Sequence, residues 1–231
     1  MTERYWAVIP AAGAGRRMGA DIPKQYLSLG GRRVIEQTIG RLLEHPAISK
    51  VVVALSVKDA WWSGTCYADH PRVLRATGGE ERCHSVLNAL AVLAEEAGTE
   101  DWVLVHDAAR PCLRPEDLIR LIEALRGHPV GGLLGMPVRD TMKRTDTDNR
   151  VTQTVPRERL WHAYTPQMFR LGLLRRALSQ ALAKGELVTD DASAMELAGH
   201  LPLMVEGHAD NIKITRPEDL ELASFYLGLK G

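Results

Sequence analysis

The sequence predicts an α/β fold, a three-layer sandwich of helices around a mostly parallel sheet, and three features carry that prediction. Short apolar, β-branched runs alternate with stretches of helical apolar spacing from Tyr5 to Met136, the pattern of repeated strand–helix–strand units. The first apolar run ends in a bare glycine-rich stretch, Gly13-Ala14-Gly15-Arg16-Arg17-Met18-Gly19, and open α/β sheets bind their ligands beyond such strand ends. The rhythm breaks once, over 137–159, where two β-rich runs flank the polar turn Asp146-Thr147-Asp148-Asn149 and predict a protruding hairpin.

Composition sets the outer limits. With 231 residues, 45% of them hydrophobic, the chain can bury the core of one large domain, so 1–231 reads as a single domain with 137–159 as an arm. Lys and Arg number 29 against 29 Asp and Glu, so no global field draws the protein to nucleic acid or to an anionic membrane. Met1-Thr2-Glu3-Arg4 runs straight into a strand without a signal core, and no apolar run approaches a membrane span, which leads us to expect a cytoplasmic protein. Cys66, Cys83 and Cys112 are odd in number and lack metal-ligand spacing, as reduced thiols do.

Tyr5 to Pro10 has the length and apolarity of a buried strand. Val34, Ile35, Thr38, Ile39, Leu42 and Leu43 predict a helix over 34–43, and the β-branched run Lys50 to Leu55 predicts the next strand. A short strand over 72–75, a helix from Ser85 to about Ala97, a strand over 102–106, a helix over 115–125 and a strand over 131–136 follow. Trp61, Trp62 and the region to about Asp69 read as surface packing. Beyond the hairpin, Trp161 to Met168 returns to the sheet, and helices are expected from Leu171 to about Ala183 and from Thr189 to about Ala198. The adjacent acids Asp190 and Asp191 at that last helix start read as capping groups that complement the macrodipole. A short strand near 203–205, the segment Asn211 to Thr215 and a helix from Glu218 close the chain, with Thr215-x-x-Glu218 as a capping box and Pro217 in the first turn.

The chemistry concentrates in the loops. Gly13, Gly15 and Gly19 let main-chain N–H groups approach a ligand, and Arg16, Arg17 and Lys24 add positive charge, a combination suited to a polyphosphate. The stretch lacks both the third glycine of the dinucleotide fingerprint, where Met18 stands, and the Gly-Lys-Ser/Thr ending of a P-loop. Gly78-Gly79-Glu80-Glu81-Arg82-Cys83-His84-Ser85 is either a loop that touches a base or sugar or a turn capped by Ser85. Asp107 leaves the end of a buried strand, a common place for a metal or ribose contact, whereas His106 reads as a packed strand-end residue. The hairpin is too polar to be core and marginal alone, so it rests on a partner subunit or is a surface flap. Lys213 alternates with Ile212 and Ile214 and points away from them.

The run Ala11-Ala12-Gly13-x-Gly15-x-Arg17-Met18 with Pro23-Lys24 resembles the signature loop of sugar-nucleotide pyrophosphorylases and related nucleotidyltransferases. Gly78-Gly79-x-x-Arg82, His106-Asp107-Ala108-Ala109-Arg110-Pro111, Asp140-Thr141, Val155-Pro156-Arg157, Thr165-Pro166-Gln167, Thr189-Asp190-Asp191-Ala192-Ser193 and Asn211-Ile212-Lys213-Ile214-Thr215 follow in order. Taken together they resemble the 2-C-methyl-D-erythritol 4-phosphate cytidylyltransferases, nearly end to end. The resemblance implies a Rossmann-like nucleotidyltransferase fold, Mg2+ as cofactor, and a reaction of CTP with methylerythritol phosphate that releases pyrophosphate, a step toward isoprenoid precursors. It implies that Arg17 and Lys24 stabilise the transition state and that Lys213 and Arg157 position methylerythritol phosphate. It further implies that Ala11, Ala12, Gly13, Gly79, Arg82 and Ser85 hold CTP, that Asp107, Ala108 and Arg110 lie on the substrate and metal side, and that Thr141 and Thr165 contact the substrate. Asp107 is the metal residue in that scheme, and the arm exchanges between the protomers of a homodimer, so that Thr141 and Arg157 serve the neighbouring site. One departure is Glu80, where the pattern favours Asp. A ribitol-phosphate cytidylyltransferase would share much of this set, and a non-catalytic nucleotide-binding regulator should have lost one of Arg17, Lys24, Asp107 or Lys213, all of which are present.

Overall fold

The structure is a computed structural model that describes residues 3–13 and 22–229. Strand β1 (Tyr5–Pro10) is buried on both faces, with Tyr5, Ala7 and Ile9 entering one core and Trp6 and Val8 the other. A continuous apolar run is what a central strand of a parallel sheet requires. It pairs in parallel with β4 (Ile48–Leu55) on one side and β6 (Trp102–Val105) on the other. The full sheet adds β5 (Val73–Thr77), β7 (Gly131–Pro137), β10 (Trp161–Arg170) and β11 (Leu203–Glu206) in the order β11-β7-β10-β6-β1-β4-β5. Only β10 runs against the others, pairing antiparallel with both β6 and β7. A mostly parallel sheet between helices is what the alternating pattern predicts. No helix among the described residues is long and apolar enough to cross a membrane.

The helices form the outer layers. Helices α1 (Val34–Leu43) and α3 (Pro115–Leu125) bury Ile35, Ile39, Leu42, Leu118, Leu121 and Leu125 in the core on one face. On the other face, α2 (Arg82–Leu93), α4 (Leu171–Ala183) and α5 (Asp191–Leu197) bury Val86, Leu90, Leu174, Leu178 and Met195. A third cluster of Leu29, Val34, Cys112, Ile214 and Ala223 fastens α6 (Glu218–Tyr226) against the carboxyl edge. Short pairs β2 (Ser28–Leu29) with β3 (Arg32–Arg33) and β8 (Met142–Thr145) with β9 (Val151–Val155) stand outside the main sheet. The second pair is the expected hairpin, exposed along its length apart from half-buried Val155.

Several expectations are corrected. Helix α2 begins at Arg82 rather than Ser85, because His84 Nδ1 accepts the Glu81 N–H at 3.3 Å and closes the first turn early. Trp62 is core, 3% exposed, not surface packing: Asp59 Oδ1 accepts the N–H groups of Trp61 and Trp62 at 3.0 and 2.9 Å and curls the segment inward. The segment Asn211 to Thr215 lies outside the sheet, with Ile214 buried and its N–H donating to Ala109 O at 2.8 Å. Asp219, not Glu218, closes the turn before α6, accepting from Thr215 N and Arg216 N at 2.7 and 2.8 Å.

Candidate active site

Because β1, β4, β5 and β6 are parallel, the segments after them leave on one edge. The segment after β1, Ala11 to Gly13, is held by Gln25, whose Nε2 donates to Ala11 O at 2.8 Å and Gly13 O at 3.2 Å. After β5, Gly78 packs so closely that a Cβ there would lie 2.2 Å from Ala12 Cβ, and one on Gly79 would lie 2.3 Å from His84 Cβ. Ser85 Oγ accepts the Gly79 N–H at 3.0 Å, so the hydroxyl shapes this turn from the first turns of α2. After β6, Asp107 emerges beside Ala108 and Ala109.

These segments enclose a cavity of about 430 Å³ lined by Ala11, Ala12, Gly13, Lys24, Gly79, Arg82, Ser85, Asp107, Ala108 and Lys213, with Gln25 and the exposed Glu80 and Glu81 also on its wall. Arg110 and Thr165 stand outside that lining and are buried, 8% and 4% exposed. Thr141 and Arg157 lie on the exposed arm, away from the cavity, with Arg157 Nη1 donating to Arg139 O. Arg16 and Arg17, with Gly15, Met18 and Gly19, lie outside the described residues.

Charge is organised around Asp107. Its Oδ1 meets Arg82 Nε at 3.2 Å and its Oδ2 meets Lys213 Nζ at 2.8 Å and Arg110 Nε at 3.7 Å. Burial alone would raise its pKa, but Arg82, Lys213 and Arg110 outweigh that and hold the carboxyl far below the usual range. Arg82 reaches back to Asp191 Oδ2 at 2.9 Å. Asp191 is fully buried, and burial pushes its carboxyl up against the pull of Arg82. Lys24 Nζ donates to Ile214 O at 2.8 Å, next to Lys213.

Behind Asp107 the hydrogen bonds fix where protons sit. Arg110 O can only accept, so His106 Nε2, 3.0 Å away, carries the proton and Nδ1 is bare. The Thr165 hydroxyl then donates to Nδ1 at 2.9 Å while accepting the Asp107 N–H at 3.1 Å. Asn211 Nδ2 donates to Thr165 O at 2.8 Å and Arg110 Nη1 donates to Asn211 O at 2.6 Å. Burial lowers the His106 pKa to about 4. Gln25, Asp191 and Asn211 were not among the sequence-predicted site residues. The signal for Asp191 was its repetition beside Asp190, which already serves as the cap by accepting the Ser193 N–H at 2.9 Å.

Among the described residues no group of three or more His, Cys, Asp or Glu side chains is arranged to hold a metal ion. A triphosphate-bound Mg2+ needs no such cage, since the ion keeps phosphate and water ligands with one or two carboxylates. Asp107, a hard oxygen donor on the cavity wall, fits that requirement.

The family model for 2-C-methyl-D-erythritol 4-phosphate cytidylyltransferase matches residues 5–229. A relative of that name from Pseudomonas fluorescens is 56% identical over 225 residues, covering 96% of each chain. Another from Ectopseudomonas mendocina is 58% identical over 221 residues, covering 95% of this chain and 94% of the relative. The crystal structure of the Francisella tularensis 2-C-methyl-D-erythritol 4-phosphate cytidylyltransferase is similar with a TM-score of 0.85 at 38% identity, covering 97% of this chain and 100% of that one. With a match this complete, the chain belongs to the 2-C-methyl-D-erythritol 4-phosphate cytidylyltransferase family.

Proposed function

We propose that this enzyme joins CTP to 2-C-methyl-D-erythritol 4-phosphate, giving 4-diphosphocytidyl-2-C-methyl-D-erythritol and pyrophosphate, with the cytoplasm as the site of reaction. The observation that carries the reading is one cavity at the carboxyl edge of the sheet that gathers Lys24, Arg82, Asp107 and Lys213 beside the bare backbone of Ala11 to Gly13. The attacking group is the acceptor's own phosphate, whose second pKa of ~6 leaves it mostly dianionic at neutral pH. No general base is required of the protein, which fits His106 being buried with both ring nitrogens engaged.

What the reaction needs is relief of anion–anion repulsion and of the charge that gathers on the α-phosphate and leaving pyrophosphate. Lys24 faces the triphosphate, and Arg17 joins it from the glycine-rich loop. Backbone groups of Ala11, Ala12, Gly13 and Gly79, with Ser85 and Arg82, hold the nucleotide. Lys213, held on Asp107 Oδ2, faces the acceptor phosphate, and Asp107 and Ala108 line the acceptor side, with the buried Arg110 and Thr165 behind them. Thr141 and Arg157 complete the site of a second copy through the arm, in a homodimer. Asp107 would hold the magnesium ion, which when bound with CTP neutralises part of the phosphate charge.

Pyrophosphate release tests the reading across CTP, UTP, ATP and GTP, each with methylerythritol phosphate or ribitol phosphate. Turnover confined to CTP and methylerythritol phosphate is expected. A preference for ribitol phosphate would reassign the acceptor, and no turnover with any pair would leave a nucleotide-binding protein without this chemistry.

A further inference from the structure

Asp191 is a carboxylate that neither capping nor ligand contact accounts for. Asp190 caps α5, and the Gln167 side chain, 1% exposed, donates to Asp190 Oδ2 at 2.8 Å and accepts the Ala192 N–H at 2.7 Å, so β10 already holds this helix start. Asp191 lies between these anchors with no solvent exposure. Its Oδ2 takes Arg82 Nη2 at 2.9 Å, and its Oδ1 finds no donor among the described residues. It does not line the cavity, whereas Arg82 and Asp107 do. A buried carboxylate with one partner is expensive to keep, and removing it costs little only where the cation left behind has another partner, as Arg82 has in Asp107.

Arg82 shows what the charge does. A guanidinium can fork onto both oxygens of one carboxylate, yet Arg82 gives Nε to Asp107 Oδ1 and Nη2 to Asp191 Oδ2. Split between two acids, it leaves Asp107 Oδ2 for Lys213, 2.8 Å away. We infer that Asp191 is a positioning residue for nucleotidyl transfer: it holds Arg82 by one edge, so that Arg82 cannot close on both oxygens of Asp107 and displace Lys213. Asp191 also supplies a second negative charge on Arg82, so that with Asp107 it offsets two of the three positive charges of Arg82, Arg110 and Lys213.

This rests on the cytidylyltransferase reading, so one measurement needs no turnover. In a crystal structure of Asp191→Asn, Arg82 is expected to have turned onto both oxygens of Asp107. An Arg82 that keeps its place overturns the inference whether or not the enzyme uses methylerythritol phosphate. Kinetics give the second readout. Asp191→Asn is expected to lower kcat by roughly 10-fold or more, as a misplaced reacting group does. KM for CTP should not rise, because the cavity becomes more positive, and the melting temperature should not fall. Combined with Arg82→Gln, Asp191→Asn should cost nothing further, since both act through one side chain. Losses that multiply, a raised KM for CTP with a lowered melting temperature, or failure of Asp191→Asn to fold would each make Asp191 a structural group. A wild-type enzyme without turnover would defeat the proposed function and leave the crystallographic test standing.

Discussion

His106 shows how much a single buried side chain can decide. Fully enclosed, it is neutral with its proton on Nε2, and it ties the Arg110 carbonyl to the Thr165 hydroxyl, which in turn holds the Asp107 N–H. Its place at the end of an apolar strand was legible as packing, but the partners were not, because they come from residues 4 and 59 positions away in the chain. A consequence for stability follows. The ordinary value of 6.5 falls to about 4 in the folded protein, chiefly through burial. Below 6.5 the unfolded chain takes up a proton that the folded chain refuses, so stability is full above that value and falls as pH drops toward about 4. The loss should approach ~3 kcal/mol from this residue. Urea unfolding across that range should show the slope, and His106→Gln should flatten it. An unchanged slope would mean that other groups dominate the acid limb.

Among the elements, the strand ends decide where the ligand goes, and the glycines after β5 show why those residues are there. Gly78 abuts Ala12 and the Leu55 carbonyl, where a Cβ would stand 2.2 and 3.1 Å away. Ala12 lines the cavity, so Gly78→Ala should push it into the nucleotide's space. We expect KM for CTP to rise by about 10-fold or more, on the scale of overpacking that costs ~1–3 kcal/mol. The KM for methylerythritol phosphate should move much less, and equal changes in both would contradict the placement of CTP on this side. The same scale explains what the sequence concealed. Periodicity located α1, α3 and α4, whose apolar faces meet the sheet. It misjudged Trp62, because a single hydrogen-bonding acid, Asp59, turns that side chain inward. It also gave Asp190 and Asp191 one role, although the cap faces the helix backbone and its neighbour faces Arg82 across the fold. Local propensity describes the cap, and only the tertiary fold describes the ion pair.

At the level of the whole molecule, the arm is the part that one chain leaves unexplained. Its strands are exposed, and a two-stranded hairpin is marginal by itself in water. Thr141 and Arg157 stand on it, outside the lining of this chain's own cavity, and the family resemblance would assign them to the site of a neighbouring copy. If the arm completes a second copy's site, two crippled chains should repair each other. Lys24→Ala should lower kcat by ~10²-fold, as loss of one preorganised electrostatic group does, and Arg157→Ala should impair use of the acceptor while leaving CTP binding by calorimetry unchanged. In a mixed dimer, one site joins an intact Lys24 from one chain to an intact Arg157 from the other, and the second site carries both defects. An isologous dimer requires this reciprocity, and equal random mixing makes half the dimers mixed, so activity should recover to about a quarter of wild type. The two variants are unfolded and refolded together, with each refolded alone as control, and pyrophosphate release is followed. Recovery would make the cavity a composite of two chains. No recovery, with heterodimers demonstrated by mass spectrometry, would return Arg157 to its own chain and leave 137–159 as a local flap.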